Sequence, residues 1–126
     1  MPVKEKAALL VPSGTYHEPD KKHLHIICCD PDANGLVVIV GVSTYTSDLC
    51  DQTCVLQAHE HPWLLHQSFV LYRKAEIVSA AALQAGIQSG EVTERDEVNA
   101  QTFLRIKKGL CKSPQTKRKV KRYLGC

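Results

Sequence analysis

Asn34-Gly35 stands between two runs rich in apolar and β-branched residues, His23 to Cys29 and Leu36 to Ser43. Glycine, and asparagine to a lesser degree, reach the positive φ angles that a tight reversal demands. An Asn-Gly pair flanked in this way closes two strands into an antiparallel hairpin. The preceding Asp30-Pro31-Asp32-Ala33 makes the turn dense in residues that bend the chain. The run Leu36-Val-Val-Ile-Val-Gly-Val-Ser43 shows no alternation of apolar and polar residues, which predicts a strand buried on both faces or nearly so.

Further short strands are predicted over Thr53 to Leu56, Ser68 to Tyr72 and Ala75 to Val78, with a polar loop over Tyr45 to Gln52 and an interruption at His59 to Pro62. Five short strands in so small a span imply a strongly bent antiparallel sheet or barrel. The first twenty residues, with Pro2, Pro12, Pro19 and Ser13-Gly14, read as an irregular lead-in. At Ser79 the pattern turns helical. Ser79 can cap a short helix that stops at Gly86, and Thr93 begins a second with Glu94 and Asp96 in its first turn and Phe103, Ile106 and Leu110 on one face. Ser113-Pro114 signals a third, with Val120, Tyr123 and Leu124 as its apolar stripe. The chain, 126 residues long, is long enough for one core and too short for two. The expected organisation is a single domain: lead-in 1–20, β-rich part 21–78, and a helical basic part 79–126.

The net charge of +3 conceals a division. Residues 98–126 hold nine positive charges and no acid, whereas residues 1–97 hold seven bases and thirteen acids. A helix bearing Lys117, Arg118, Lys119, Lys121 and Arg122, with Lys107 and Lys108 just before it, suits a polyanion or an acidic partner. The longest apolar run, Leu36 to Val42, is far below the roughly 20 residues that cross a bilayer, and the N-terminal stretch lacks a secretory apolar segment. A cytoplasmic protein is expected, with its six cysteines reduced and mostly buried as small hydrophobes.

Two constellations could carry chemistry. His23 and His25 lie two apart on a strand, hence on one face, with Lys22 beside them; imidazoles in a groove exchange protons near neutral pH. Cys50, Cys54, His59 and His61 form a zinc-type donor set, but their spacing lacks the paired hooks of structural zinc sites, so a polar loop is expected and no metal or cofactor. A Cys54 nucleophile with His61 or His66 as base is conceivable from residue types alone. No glycine-rich phosphate loop, Walker motif or His-Glu-x-x-His is present.

The order of elements resembles the MazF/PemK family of toxin ribonucleases over about Lys22 to Leu110. Lys22-His-Leu-His-Ile-Ile-Cys-Cys-Asp30 sits where that family has a basic residue, a proline and an apolar strand. Val38-Ile-Val-Gly-Val-Ser-Thr44 resembles its strand ending in Pro-x-Thr-Ser, and Cys54-Val-Leu56, Ser68 to Ile77 and Leu83 to Gly90 follow in order. The resemblance implies a small SH3-like antiparallel barrel followed by C-terminal helices, forming a homodimer. It further implies an antitoxin partner and metal-independent cleavage of single-stranded RNA. On that pattern Lys22 falls at the family arginine and Ser43-Thr44 at its hydroxyl pair. Arg73 stands near where some members carry an acid, and Gly41 replaces a proline. His25 is the proton-transfer candidate from the residues themselves. The alternative is a non-catalytic nucleic-acid-binding or regulatory module on the same barrel, with Lys107, Lys108, Lys117, Arg118, Lys121 and Arg122 as its contacts.

Overall fold

Asp32 makes the predicted hairpin turn hold. Its carboxylate accepts from the Asn34 and Leu36 amides at 2.8 and 2.9 Å, and Gly35 takes φ 74°. The strands so joined are β2 (Lys22–Ile27) and β3 (Leu36–Thr44), paired antiparallel with Ile26 opposite Val40 and His25 opposite Gly41. The computed structural model describes residues 3–12 and 22–126, so the expectations for Met1, Pro2, Ser13-Gly14 and Pro19 lie outside the described residues.

Around that hairpin stand β1 (Ala8–Pro12), β4 (Val55–Leu56), β5 (Ser68–Ser79) and β6 (Thr93–Arg95). Together they form one curled antiparallel sheet in the spatial order β4-β5-β3-β2-β1-β6. Helix α1 (Ala80–Ser89) follows β5, while α2 (Ala100–Lys112) and α3 (Arg118–Leu124) come last.

Several local expectations give way to tertiary contacts. The lead-in contains β1, because Leu9 and Leu10 point to opposite faces and both are buried. Thr93 to Arg95 is extended rather than helical: it pairs with β1 at the sheet edge, and α2 starts at Ala100 under an Asn99 cap. Ser79 caps α1 as expected, but the helix runs past Gly86 to a left-handed Gly90. Ser113 ends α2 instead of starting α3, which begins at Arg118.

The two strands expected between Ser68 and Val78 are one strand with an irregularity. Gly41 faces Leu71 while Ile39 faces Glu76, so residues 72–75 stand against Val40 alone. Tyr72 and Ala75 both turn into the core there, and Arg73 and Lys74 between them are thrown outward. Such bulges re-aim side chains at the rims of sheets.

The sheet buries both faces unequally. One face, with Leu10, Leu24, Ile26, Val38, Val40, Val70 and Tyr72, is covered by Phe103, Ile106 and Leu110 of α2 and Val120 of α3. The other, with Leu9, Ile27, Val37 and Ile39, is covered at one end only, by Ala80 and Leu83 of α1 and by Val92. This explains why β3 shows no alternation.

Polar ties hold the helical layer in place. Asp51 accepts from the Ser113 hydroxyl at 2.5 Å and from the Thr53 hydroxyl and amide at 2.6 and 2.9 Å. Burial pushes that carboxyl upward, but these hydrogen bonds outweigh it and hold Asp51 below the usual carboxylate range. Tyr123 donates its hydroxyl to Asp32, joining α3 to the β2–β3 turn.

The cysteines depart from expectation. Cys111 and Cys126 form a disulfide, while Cys28 and Cys54 are buried free thiols and Cys29 and Cys50 are half-buried. The bond spans 15 residues, a loop for which chain-entropy arguments assign about 3 kcal/mol. Reduction, or Cys111→Ser, should therefore move the urea midpoint markedly down without abolishing folding. An unchanged midpoint would show that the bond contributes nothing to stability.

Candidate active site

Because α1 stops short, the far end of the second sheet face stays open. There β2, β3 and β5 enclose a cavity of about 220 Å³ whose lining includes His23, His25, Gly41, Ser43, Arg73 and Lys74. Strand alternation brings His23, His25 and Ser43 to one side, and the β5 irregularity adds the two cations.

His25 has the most defined geometry. Its Nδ1 lies 3.0 Å from the His23 carbonyl oxygen. A carbonyl can only accept, so Nδ1 carries the proton and the neutral ring keeps its lone pair at Nε2. That ring packs over Gly41: a Cβ built there would meet Nε2 at 3.2 Å. Burial is the main cause lowering the His25 pKa below the ordinary histidine value; the hydrogen bond to His23 opposes it and does not reverse it. At neutral pH the imidazole is thus uncharged, with an available base nitrogen; the nearby Glu76 carboxylate opposes the lowering without reversing it, and Arg73 and Lys74 line the same cavity. Arg73 and Lys74 are both exposed at the cavity rim, where they can meet an anion.

The structure brings together His25, Ser43 and Arg73 of the residues singled out from sequence. Thr44, next along β3, points to the other side and lines a separate, apolar cavity of about 380 Å³ with Trp63, Leu65 and Ser68. Lys22 shares the parity of Leu24 and Ile26, so it stands across the strand from the histidines rather than beside them. Lys74 and the ring-accommodating role of Gly41 were not legible in the sequence, since both depend on how β3 meets β5 and β2.

The basic residues form a different surface. Lys107 is committed to the fold: it pairs with Glu5 at 3.2 Å and lies 5.9 Å from the Phe103 ring centre. Lys108, Lys117, Arg118 and Arg122 are exposed and Lys121 is half-buried, in α2, in α3 or, for Lys117, just before α3, and these helices cover the opposite sheet face from His25.

The zinc-type residues do not converge. Among the described residues there is no group of three or more His, Cys, Asp or Glu side chains placed to hold a metal. His61 uses both ring nitrogens, Nε2 with the Asp96 carbonyl at 2.6 Å and Nδ1 with the Trp63 amide at 3.1 Å. Cys54 is in the core, where burial raises its thiol pKa, the reverse of what a nucleophile needs. No helix of the described residues is long and apolar enough to cross a membrane.

No protein-family model matches the sequence, and no curated protein matches it. Among solved structures, the fold is similar to a chain in the crystal structure of MazE-MazF from Deinococcus radiodurans, with a TM-score of 0.59 at 9% identity. The match covers 89% of this chain and 95% of that one. The architecture is therefore MazF-like, a curled antiparallel sheet with C-terminal helices.

Proposed function

We propose that this chain is a MazF-like toxin: a metal-independent endoribonuclease acting on single-stranded RNA in the cytoplasm, as a homodimer restrained by an antitoxin. The observation that carries this reading is the neutral His25 ring, its Nδ1 anchored on the His23 carbonyl and its Nε2 free, in one cavity with Ser43, Arg73 and Lys74. The structurally similar chain comes from a MazE-MazF assembly, which supports a partner of antitoxin type.

Cleavage of RNA through its own ribose needs a base for the 2′-hydroxyl and positive charge for the phosphorane. His25 Nε2 takes the 2′-hydroxyl proton, and the 2′-oxygen attacks the adjacent phosphorus. The P–O5′ bond breaks, and the leaving oxygen takes a proton from solvent at this open face. Arg73 and Lys74 stabilise the charge gathering on the phosphoryl oxygens, and Ser43 hydrogen-bonds the bound phosphate. Lys22 and Thr44, standing outside the cavity, are assigned no step.

The test is cleavage of single-stranded RNA in EDTA. His25→Ala should lower the rate about 10²- to 10⁴-fold. The wild-type rate should fall as the pH drops through the lowered His25 pKa, since protonation removes the lone pair; the falling limb lies below the ordinary histidine value. Intact RNA under these conditions would sink the enzyme reading. Salt-sensitive binding without cleavage would then favour the non-catalytic module, with Lys108, Lys117, Arg118, Lys121 and Arg122 as its contacts.

A further inference from the structure

The His25 cavity does not end at Arg73. Phe69, Leu71 and Arg73 also line a second cavity of about 240 Å³, whose far wall carries Thr46, Cys50 and Gln115. The two adjoin along Phe69, Leu71 and Arg73 of β5, and together they make one groove that runs from the β2–β3 side of that strand to the loop of residues 46–51. Gln115 belongs to the linker between α2 and α3, beyond the stretch over which the sequence resembles the MazF/PemK family.

That linker is held in place. Ser113 is fully buried and donates to Asp51, which also lines the second cavity, and the Ser113 hydroxyl in turn accepts from the Gln115 backbone N–H at 3.1 Å, leaving the Gln115 side chain unengaged by that bond. The groove therefore has a charge gradient along it: cations at the Arg73 end, a carboxylate and an amide side chain at the Gln115 end. A phosphate is favoured at the first and repelled at the second. Apolar walls from Leu49, Phe69 and Leu71 suit a flat heterocycle, and the exposed Gln115 side-chain amide can pair with its polar edge, whereas Asp51 is buried and already accepts from Ser113 and Thr53.

We propose that the Gln115 end of the groove is a nucleobase subsite, which seats the base next to the phosphate held at His25 and Arg73 and selects it through the Gln115 amide. The proposal rests on the ribonuclease reading for the identity of the ligand. It assigns the linker between α2 and α3 a part in choosing the RNA sequence, apart from the basic face of α3.

Cys50 provides a reporter inside the subsite. The probe is a short single-stranded DNA oligonucleotide of mixed sequence, which lacks the 2′-hydroxyl and cannot be cleaved by the proposed route. Alkylation by N-ethylmaleimide is followed at Cys50, with half-buried Cys29 outside the groove as internal reference. The oligonucleotide should slow alkylation of Cys50 relative to Cys29, and Gln115→Ala should weaken that protection. Gln115 is exposed, so the variant is not expected to disturb the core. In parallel, RNAs differing in the base beside the cut should be cleaved with unequal kcat/KM, and Gln115→Ala should reduce that preference about tenfold or more. Cleavage with Cys50 unprotected and the preference unchanged in Gln115→Ala overturns the subsite and leaves the ribonuclease reading standing. Protection of Cys50 without RNA cleavage supports the subsite and overturns the ribonuclease reading. Neither protection nor cleavage overturns both.

Discussion

Replacing Gly109 with alanine is expected to destabilise the protein by about 3 kcal/mol, although helix propensity alone predicts a gain of roughly 1 kcal/mol at an interior glycine. Gly109 lies in α2 where the helix crosses β5, and a Cβ there would sit 1.8 Å from the Tyr72 hydroxyl oxygen and 2.3 Å from the carbon bearing it. Neither side can yield cheaply. Tyr72 is fully buried and donates to the Ile106 carbonyl at 2.8 Å, one turn earlier in the same helix. The added methyl must therefore push α2 off the sheet or break that hydrogen bond in the core. Urea unfolding of Gly109→Ala, alone and in a Tyr72→Leu background, tests the account. The cost should shrink sharply in the double variant, because the clash needs both partners. A stabilised or unchanged single variant would show that α2 does not pack this closely.

Gly41→Val should leave the protein folded yet lower RNA cleavage about 10²-fold, a loss of the size that follows from misplacing a reacting group by about an ångström. Valine suits a central strand, so β3 tolerates it. The His25 ring lies against Gly41, however, with Nε2, Cδ2 and Cε1 at 3.2, 3.5 and 3.6 Å from the position of a Cβ. The valine methyl groups reach further and displace the imidazole from the cavity. The imidazole then becomes better solvated, so its pKa, followed by NMR titration, should rise toward the ordinary histidine value. Cleavage at the wild-type rate with an unshifted titration would refute the positioning role. A shifted titration with unchanged cleavage would instead remove His25 from the chemistry.

The legible parts of this fold are those decided within a few residues. The Asn34-Gly35 hairpin, the Ser79 cap and the apolar stripe of α2 each depend on neighbours close in sequence, and each stands where the pattern predicts it. Thr93, Glu94 and Asp96 have the pattern of a helix start, yet backbone pairing of Thr93 to Arg95 with β1, some eighty residues away in sequence, draws that stretch into the sheet. Ser113 has the side chain of a helix cap, but buried Asp51 takes its hydroxyl. The lead-in prolines conceal that Ala8–Pro12 is an inner strand, whose Ala8, Leu9 and Leu10 are buried once β2 and β6 flank them.

The candidate site divides in the same way. His25 could be selected from residue type and strand parity, and Arg73 and Ser43 from the resemblance. That Lys22 lies across the strand, that Lys74 joins the cavity, and that Gln115 reaches the same groove depend on register and docking. By itself the sequence determined a β-rich domain with a hairpin at its centre, an acidic front and a basic helical end, because hydrophobic period, turn chemistry and charge are local properties. Only the tertiary structure decided that the basic helices cover one face of the sheet while the histidines open on the other. The irregular pairing of β5 with β3 and the short reach of α1 are long-range packing outcomes that no stretch of the chain encodes alone.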